Sequence, residues 1–213
     1  EVSGQERLYY DRSKPFSKQV PYFANYKPAI IVKKPKAYII PQAYDRLIEL
    51  MQTNGVKMHQ LAKDEIKEVE MYYITSYKTQ GTPYEGHYPH HSVELSPKIM
   101  QVPFYKGDWI IETNQDINRY IVETLEPQAM DSFFNWNFFD AILSQKEYFS
   151  AYIFEDTAAE LLKNDAELKK SFEEAKKQDP KMAESGRAQL EWIYKRTHHY
   201  EHNYMLYPVG RIL

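Results

Sequence analysis

The sequence predicts an α+β protein with an N-terminal βαβ unit, an antiparallel or mixed sheet in the middle and a helical C-terminal third. Three observations carry this expectation. The middle of the chain alternates apolar and polar residues in short runs punctuated by proline and glycine, as in "EVEMYYITSY" and "DWIIET". The last third holds three segments with a capping Asp and apolar residues at helical spacing. With 19 Tyr, 10 Phe and 3 Trp among 213 residues, the aromatic load suits β-rich domains and surfaces that meet carbohydrate or protein.

Residues 1–28 are polar and proline-punctuated with no sustained period, and read as an extended arm or linker, which leaves residues 29–213 as a single α+β domain. "AIIVKKPKAYIIP" is two short β-rich runs broken by Pro35. In "AYDRLIELMQTNG" the residues Ala43, Leu47, Leu50 and Met51 recur at helical spacing, and Gly55 falls at the C′ position. "VKMHQL" alternates as a strand and completes a βαβ unit, right-handed by default. In the next strand Val69, Met71 and Tyr73 share one face, and Glu68, Glu70 and Tyr72 the other. With "SVELSPKIMQVPF" and "DWIIET" it forms an antiparallel meander separated by Pro97, Pro103 and Gly107. Asn114 or Asp116 is placed to cap a helix striped by Ile117, Tyr120, Ile121, Thr124 and Leu125, which Pro127 ends. "DSFFNWNFFDAIL" is the most aromatic segment, expected to be buried for the most part and helical in its second half. Three helices follow, capped by Asp156, Asp165 and Asp179. The last has Pro180 at its first position and a broken stripe of Met182, Leu190, Ile193 and Tyr194.

The formal net charge is −3, with basic and acidic residues mixed throughout, so there is no electrostatic footprint for nucleic acid or an anionic membrane. No apolar run approaches the roughly 20 residues of a membrane span, and no charged-then-apolar leader opens the sequence. A first residue of Glu1 rather than Met suggests a processed chain or a segment of a longer one. Zero cysteine excludes thiol nucleophiles, disulfides, iron–sulfur clusters and cysteine zinc sites.

Any metal would therefore need His, Asp or Glu. Apart from His59, the 7 histidines fall in "EGHYPHHS", with Glu85, His87, His90 and His91, and "THHYEH", with His198, His199, Glu201 and His202. Were the clusters to meet, His87, His91, His198 and His202 would be candidate ligands for zinc or copper. A loop of this composition is more often solvated or hydrogen-bonded than ligated. His198-x-x-Glu201 has the spacing of the first two ligands of zinc carboxypeptidases, but no third His and no general-base Glu lies far enough downstream to complete such a site. There is no Gly-x-Ser-x-Gly elbow, and 7 Gly in all supply no glycine-rich phosphate loop. Glu123 and Glu126 have the spacing of an acid/base pair; such i, i+3 pairs are usually a solvated helix face.

The strings "KPKAYIIPQAYDRLIELMQTNGVKMHQL", "YEGHYPHHSVELS", "FYKGDWIIETNQDINRYIVETLEPQAMDSFFNWNFFDAIL", "YFSAYIFEDTAAELLKND" and "YMLYPVGRIL" together resemble the C-terminal region of bacterial zinc carboxypeptidase-like proteins of the carboxypeptidase A (funnelin) family. The resemblance runs over roughly residues 8–211, and "NRYIVETLEPQ" with "SFFNWNFFD" is its most distinctive block. In that family the zinc ligands and the general base lie in a preceding catalytic domain with no counterpart here. The resemblance therefore implies a non-catalytic accessory segment without a cofactor of its own, partnered by an upstream zinc-bearing domain. It also implies a periplasmic or otherwise exported location. His198 and Glu201 match no ligand position of the family.

Two roles fit such a segment: packing against the catalytic domain and shaping access to its cleft, or binding cell-wall glycan or peptide through exposed aromatics. An independent hydrolase using Glu123 or Glu126 is a third. Within residues 118–140, Phe133, Phe134, Trp136, Phe138 and Phe139 are expected to organise the core. Arg119, Glu123 and Glu126 are the polar residues to watch: beside so apolar a segment they must be paired or solvated, and a buried Arg–carboxylate bridge would tie the helix to the sheet.

Overall fold

A computed structural model describes residues 2–213. The chain divides into two units between Ile31 and Val32. Residues 2–31 contain no helix or strand, and Tyr9, Phe16, Tyr22, Phe23 and Tyr26 are exposed.

The second unit is built on six strands: β1 (Ala37–Ile40), β2 (His59–Gln60), β3 (Glu65–Thr79), β4 (His90–Phe104), β5 (Trp109–Glu112) and β6 (Gly210–Ile212). They form one sheet in the order β2-β5-β1-β6-β3-β4, antiparallel at every pairing. Four helices lie between residues 151 and 194, in the C-terminal third, so the fold is α+β. No helix is long and apolar enough to cross a membrane among the described residues.

Helix α1 (Asp45–Thr53) buries Leu47, Ile48 and Met51, while Leu50 is at the surface. Asn54 is its C-cap and Gly55 follows at φ 81, the left-handed C′ position that glycine occupies without strain. The strand–helix–strand succession of β1, α1 and β2 is present, but β1 and β2 are not neighbours. Both run antiparallel to β5, which lies between them, so the crossover spans two strand spacings, about 10 Å.

The expected meander is corrected by the same insertion. β3 and β4 form a long hairpin, but the chain then leaves β4 and re-enters the sheet as β5 between β2 and β1, far from β4. The turn that redirects it is held by Asp108, 2% exposed, which accepts from the Tyr105 N–H at 2.7 Å and the Gln42 N–H at 3.0 Å. Gly107 in this turn has φ 99, a region closed to most side chains. Pro97 and Pro103 lie inside β4 rather than between strands. That is possible because β4 is an edge, where a missing N–H costs no ladder bond on the solvent side.

Both faces of β3 are covered. Val69 and Met71 pack with Ile39, Leu61 and Phe104, whereas Tyr72 and Ile74 belong to the larger core with Tyr38, Ile111, Phe134 and Tyr207. The Glu70/Tyr72 face thus meets the main core. Two register shifts interrupt the hairpin at Ile74–Lys78, and Ser92 there has φ 53. A bulge of this kind re-aims side chains, and here His90 is buried while His91 is exposed.

Helix α2 (Asn118–Leu125) is led by Ile117 with no side-chain cap, so neither Asn114 nor Asp116 takes that role; Asn118 instead accepts from the Gln115 N–H at 3.2 Å. Residues 133–139 are a run of turns followed by one turn of 3₁₀ helix at Asp140–Leu143. Helix α3 (Ala151–Asn164) starts after Ser150, leaving Asp156 inside it and not at its cap. Asp165 caps α4 (Ala166–Gln178), accepting from the Glu167 and Leu168 N–H groups. Asp179 caps α5 (Pro180–Ala183), which stops after one turn; Ser185 then caps α6 (Gly186–Tyr194). These four helices bury their own core of Phe154, Phe172, Met182, Leu190, Ile193 and Tyr194. The chain then returns to the sheet as β6, which the helical reading of the last third did not anticipate.

Gly210 in β6 has no room for a side chain: an added Cβ would sit 2.8 Å from Ile39 Cγ2 and 3.1 Å from Phe104 Cζ. Gly210→Ala is expected to cost about 1–3 kcal/mol through overpacking, read as a lower urea midpoint at unchanged slope. An unchanged midpoint would contradict this packing.

Candidate functional site

The polar centre of the molecule starts from Pro127. A residue before proline is pushed out of the helical region, and Glu126 has φ −88 and ψ 115. This ends α2 and turns Glu126 into the sheet, where it is 2% exposed. Its Oε1 accepts from the Tyr38 hydroxyl at 2.6 Å and from Arg211 Nε at 2.9 Å. Arg211, 4% exposed, donates further through Nη1 to Glu70 and through Nη2 to the Lys33 carbonyl. Its guanidinium carbon lies 5.1 Å from the centre of the Tyr72 ring.

Burial pushes the Glu126 carboxyl up, while hydrogen bonds from the Tyr38 and Tyr72 hydroxyls pull it down. The Tyr38 and Tyr72 hydroxyls are themselves pushed up, first by burial and then by the Glu126 charge. They are donors under all ordinary conditions. Burial pulls the Arg211 guanidinium down without neutralising it. Glu126 and Arg211 are buried and Glu70 half-buried, and the donors of Arg211 and Tyr38 are taken up by these carboxylates and the Lys33 carbonyl, which ties α2, β1, β3 and β6 together.

Arg119 and Glu123 are separate from it. They form an i, i+4 pair at 2.9 Å with side chains 89% and 51% exposed, a geometry worth a few tenths of a kcal/mol. Arg119 is thus not the bridge partner of Glu126, because it points from the outer face of α2. Of the aromatic segment, Phe133, Phe134 and Phe139 are buried, whereas Trp136 and Phe138 are half-buried. Phe139 packs edge-on against Tyr44 and Tyr207, both at 4.9 Å between ring centres.

The histidines are dispersed. The His87 ring lies edge-on to Trp136 at 5.5 Å, and His91 Nδ1 pairs with the neighbouring Ser92 hydroxyl. His90 is buried, with Nδ1 2.9 Å from Thr79 Oγ1 and Nε2 2.9 Å from Asp140 Oδ1. Since a carboxylate only accepts, this geometry places a proton on Nε2 and lets Nδ1 accept from the threonine. His198 and His199 are exposed with rings 3.9 Å apart, and His202 is exposed with its carbonyl accepting from the Tyr73 hydroxyl. Glu201 accepts from the backbone N–H groups of Lys146 and Glu147 at 2.6 and 3.1 Å. Among the described residues no three His, Asp or Glu side chains converge as a metal-holding set.

Sequence reasoning missed Arg211 and Tyr38 as the partners of Glu126, and Glu70 as the second carboxylate on Arg211. The one available signal was an arginine alone in the apolar run "YPVGRIL". A charge so placed must find a partner, though nothing local says which.

Three carboxypeptidases are similar to part of the chain. "Carboxypeptidase 2" of Trichophyton rubrum is 27% identical over 107 residues, covering 50% of this chain and 20% of that protein. "Carboxypeptidase 2" of Trichophyton tonsurans and that of Trichophyton equinum are each 29% identical over 114 residues, covering 52% of this chain and 21% of theirs. The chain thus spans about a fifth of the length of the curated relatives it matches, and half of it is carboxypeptidase-related in sequence. No protein-family model matches it, and no solved structure matches it.

Removing one partner of the buried pair, by Arg211→Met or Glu126→Gln, is expected to cost about 3–5 kcal/mol, and the double variant less than the sum. Arg119→Ala is expected within about 0.5 kcal/mol of the parent. Denaturant melts of the four variants check this; additive single effects would refute the coupling.

The backbone hydrogen bonds to Glu201 hold its carboxyl below the ordinary 4.5. A depressed carboxyl stabilises the fold above its unfolded-state value, and that stabilisation is lost as pH falls through the folded value. Carbon-detected titration is expected to place the Glu201 midpoint below that of a free glutamate, and a midpoint at or above 4.5 would contradict these hydrogen bonds.

Proposed function

We propose that this chain is a non-catalytic accessory region of a carboxypeptidase-like metallopeptidase, packing beside a catalytic domain and shaping access to its cleft. The observation that carries the reading is the partial similarity to carboxypeptidases: it touches half of this chain and only a fifth of theirs. The carboxylates support it. Glu126 is sealed beneath Tyr38 and Arg211, and Glu123 lies on an exposed helix face beside Arg119, so neither faces a cleft suited to general-base work.

On this reading the zinc belongs to the catalytic domain, the segment carries no cofactor of its own, and the whole protein is exported. The surfaces available for packing are apolar and separate from the core: Tyr148, Tyr152 and Ile153 are 67%, 92% and 67% exposed. Exposed aromatics grouped in this way are a feature of protein-binding surfaces.

The full chain, supplied with zinc, is expected to release no C-terminal amino acid from blocked dipeptides. Added to Trichophyton rubrum carboxypeptidase 2 lacking the matching region, it is expected to change the KM or the soluble yield of that enzyme. Hydrolysis by the chain alone that disappears in Glu123→Gln or Glu126→Gln would overturn the proposal and favour an independent hydrolase.

A further inference from the structure

The loop between β3 and β4, the start of α1 and the turn at 136–138 meet around a cleft of about 270 Å³, lined among others by Tyr44, Asp45, Arg46, His87, Asn137 and Phe138. The backbone on two sides of it is rigid. Tyr84 and His87 exchange both N–H···O bonds, at 2.8 and 2.9 Å, around Glu85 and Gly86 at φ 49 and 78. Two successive positive φ values make the tight hairpin turn whose twist matches the flanking chain. Asn137 is also left-handed at φ 67, and its Nδ2 donates to the Tyr88 carbonyl at 3.0 Å, tying the loop to the aromatic segment.

Aromatic rings continue from the cleft onto the surface. Trp136 contacts His87 edge-on at 5.5 Å and lies 6.1 Å from Tyr84 at a 43° tilt, and Tyr84 and Tyr88 are 58% and 51% exposed. On the opposite wall the Arg46 guanidinium lies 5.3 Å from the centre of the Phe138 ring. Asp45, beside it, is exposed, and one of its oxygens accepts from the Arg46 N–H at 2.7 Å.

We propose that this cleft binds a neutral saccharide, with one pyranose ring between Arg46 and His87 and the next against Trp136 and Tyr84. A sugar hydroxyl both donates and accepts. Adjacent carboxylate and guanidinium groups satisfy both roles at vicinal hydroxyls, while the C–H face of the ring packs on an aromatic face. The charges of Asp45 and Arg46 cancel, which favours an uncharged ligand over a free carboxylate or phosphate. A wall held by a tight turn and by the Asn137 bond loses little freedom on binding. The proposal does not rest on the carboxypeptidase reading.

Calorimetric titration of the full chain with β-1,4-linked tetramers of N-acetylglucosamine and of glucose, and with the α-1,4-linked glucose tetramer, tests it. Saturable binding of at least one tetramer is expected. Arg46→Ala and Trp136→Ala are each expected to weaken it at least about tenfold, and Lys170→Ala, exposed on α4 and outside the cleft lining, to leave it unchanged. Because Arg46 is an exposed residue, its variant keeps the test valid if the Trp136 variant misfolds. No saturable binding by any of the three, binding unaltered in Arg46→Ala, or displacement by acetate would overturn the proposal.

Discussion

The buried ion pair of Arg211 and Glu126 is the interaction on which the rest of the fold depends. It joins the end of α2 to β6, and through Glu70 and Tyr38 it reaches β3 and β1 as well. Two charges taken from water are tolerable only when their remaining donors and acceptors are met, and here two tyrosines, a second carboxylate and a backbone carbonyl meet them. The pair also defines register. With three residues, β6 has little pairing of its own, and a slip by one would carry Arg211 to the apolar face of Val69 and Met71, away from Glu126.

Around this knot the apolar residues are divided between two cores. The aromatic segment packs Phe133, Phe134 and Phe139 against Tyr207 and the β3 residues Tyr72 and Ile74, whereas the α3–α6 helices close on Phe154, Phe172 and Tyr194. The surplus aromatic load of the sequence thus has two destinations. Part of it is core, and the part left at the surface falls at the hairpin tip, in the β4–β5 turn, at and just before the start of α3 and along residues 2–31. Of the polar groups that resemble chemistry in the sequence, Glu126, Glu201 and His90 are held in structural hydrogen bonds, whereas Glu123, His198 and His202 stay exposed.

The buried His90 shows the same economy on a smaller scale. A register shift in the β3–β4 hairpin aims it inward, between Thr79 and Asp140, with Tyr77 and Phe134 against its ring at 4.9 and 5.2 Å. Asp140 opens the 3₁₀ turn, so this bond fastens the aromatic segment to the hairpin. One residue of a histidine-rich loop therefore became a structural hydrogen-bonding group, while its neighbour His91 stayed in solvent.

By itself the sequence determined what is written within one turn or one pleat. Asp165, and Asp179 with Pro180, cap helices because a side-chain oxygen reaches N–H groups two and three residues ahead; Gly55 ends α1 because only a left-handed residue fits there; Pro127 ends α2 by excluding the helical region from Glu126. The stripe of Ile121, Thr124 and Leu125 was legible for the same reason. Tertiary structure alone decided which carboxylate is buried and which arginine meets it, since Glu126 and Arg211 lie 85 residues apart. It also decided that β5 enters between β1 and β2, that Pro97 and Pro103 sit in an edge strand, and that the Glu70/Tyr72 face turns inward. Each of these is a choice of neighbour. A periodic pattern shows that a strand has two faces, but which face meets the core is set by elements far away in the chain.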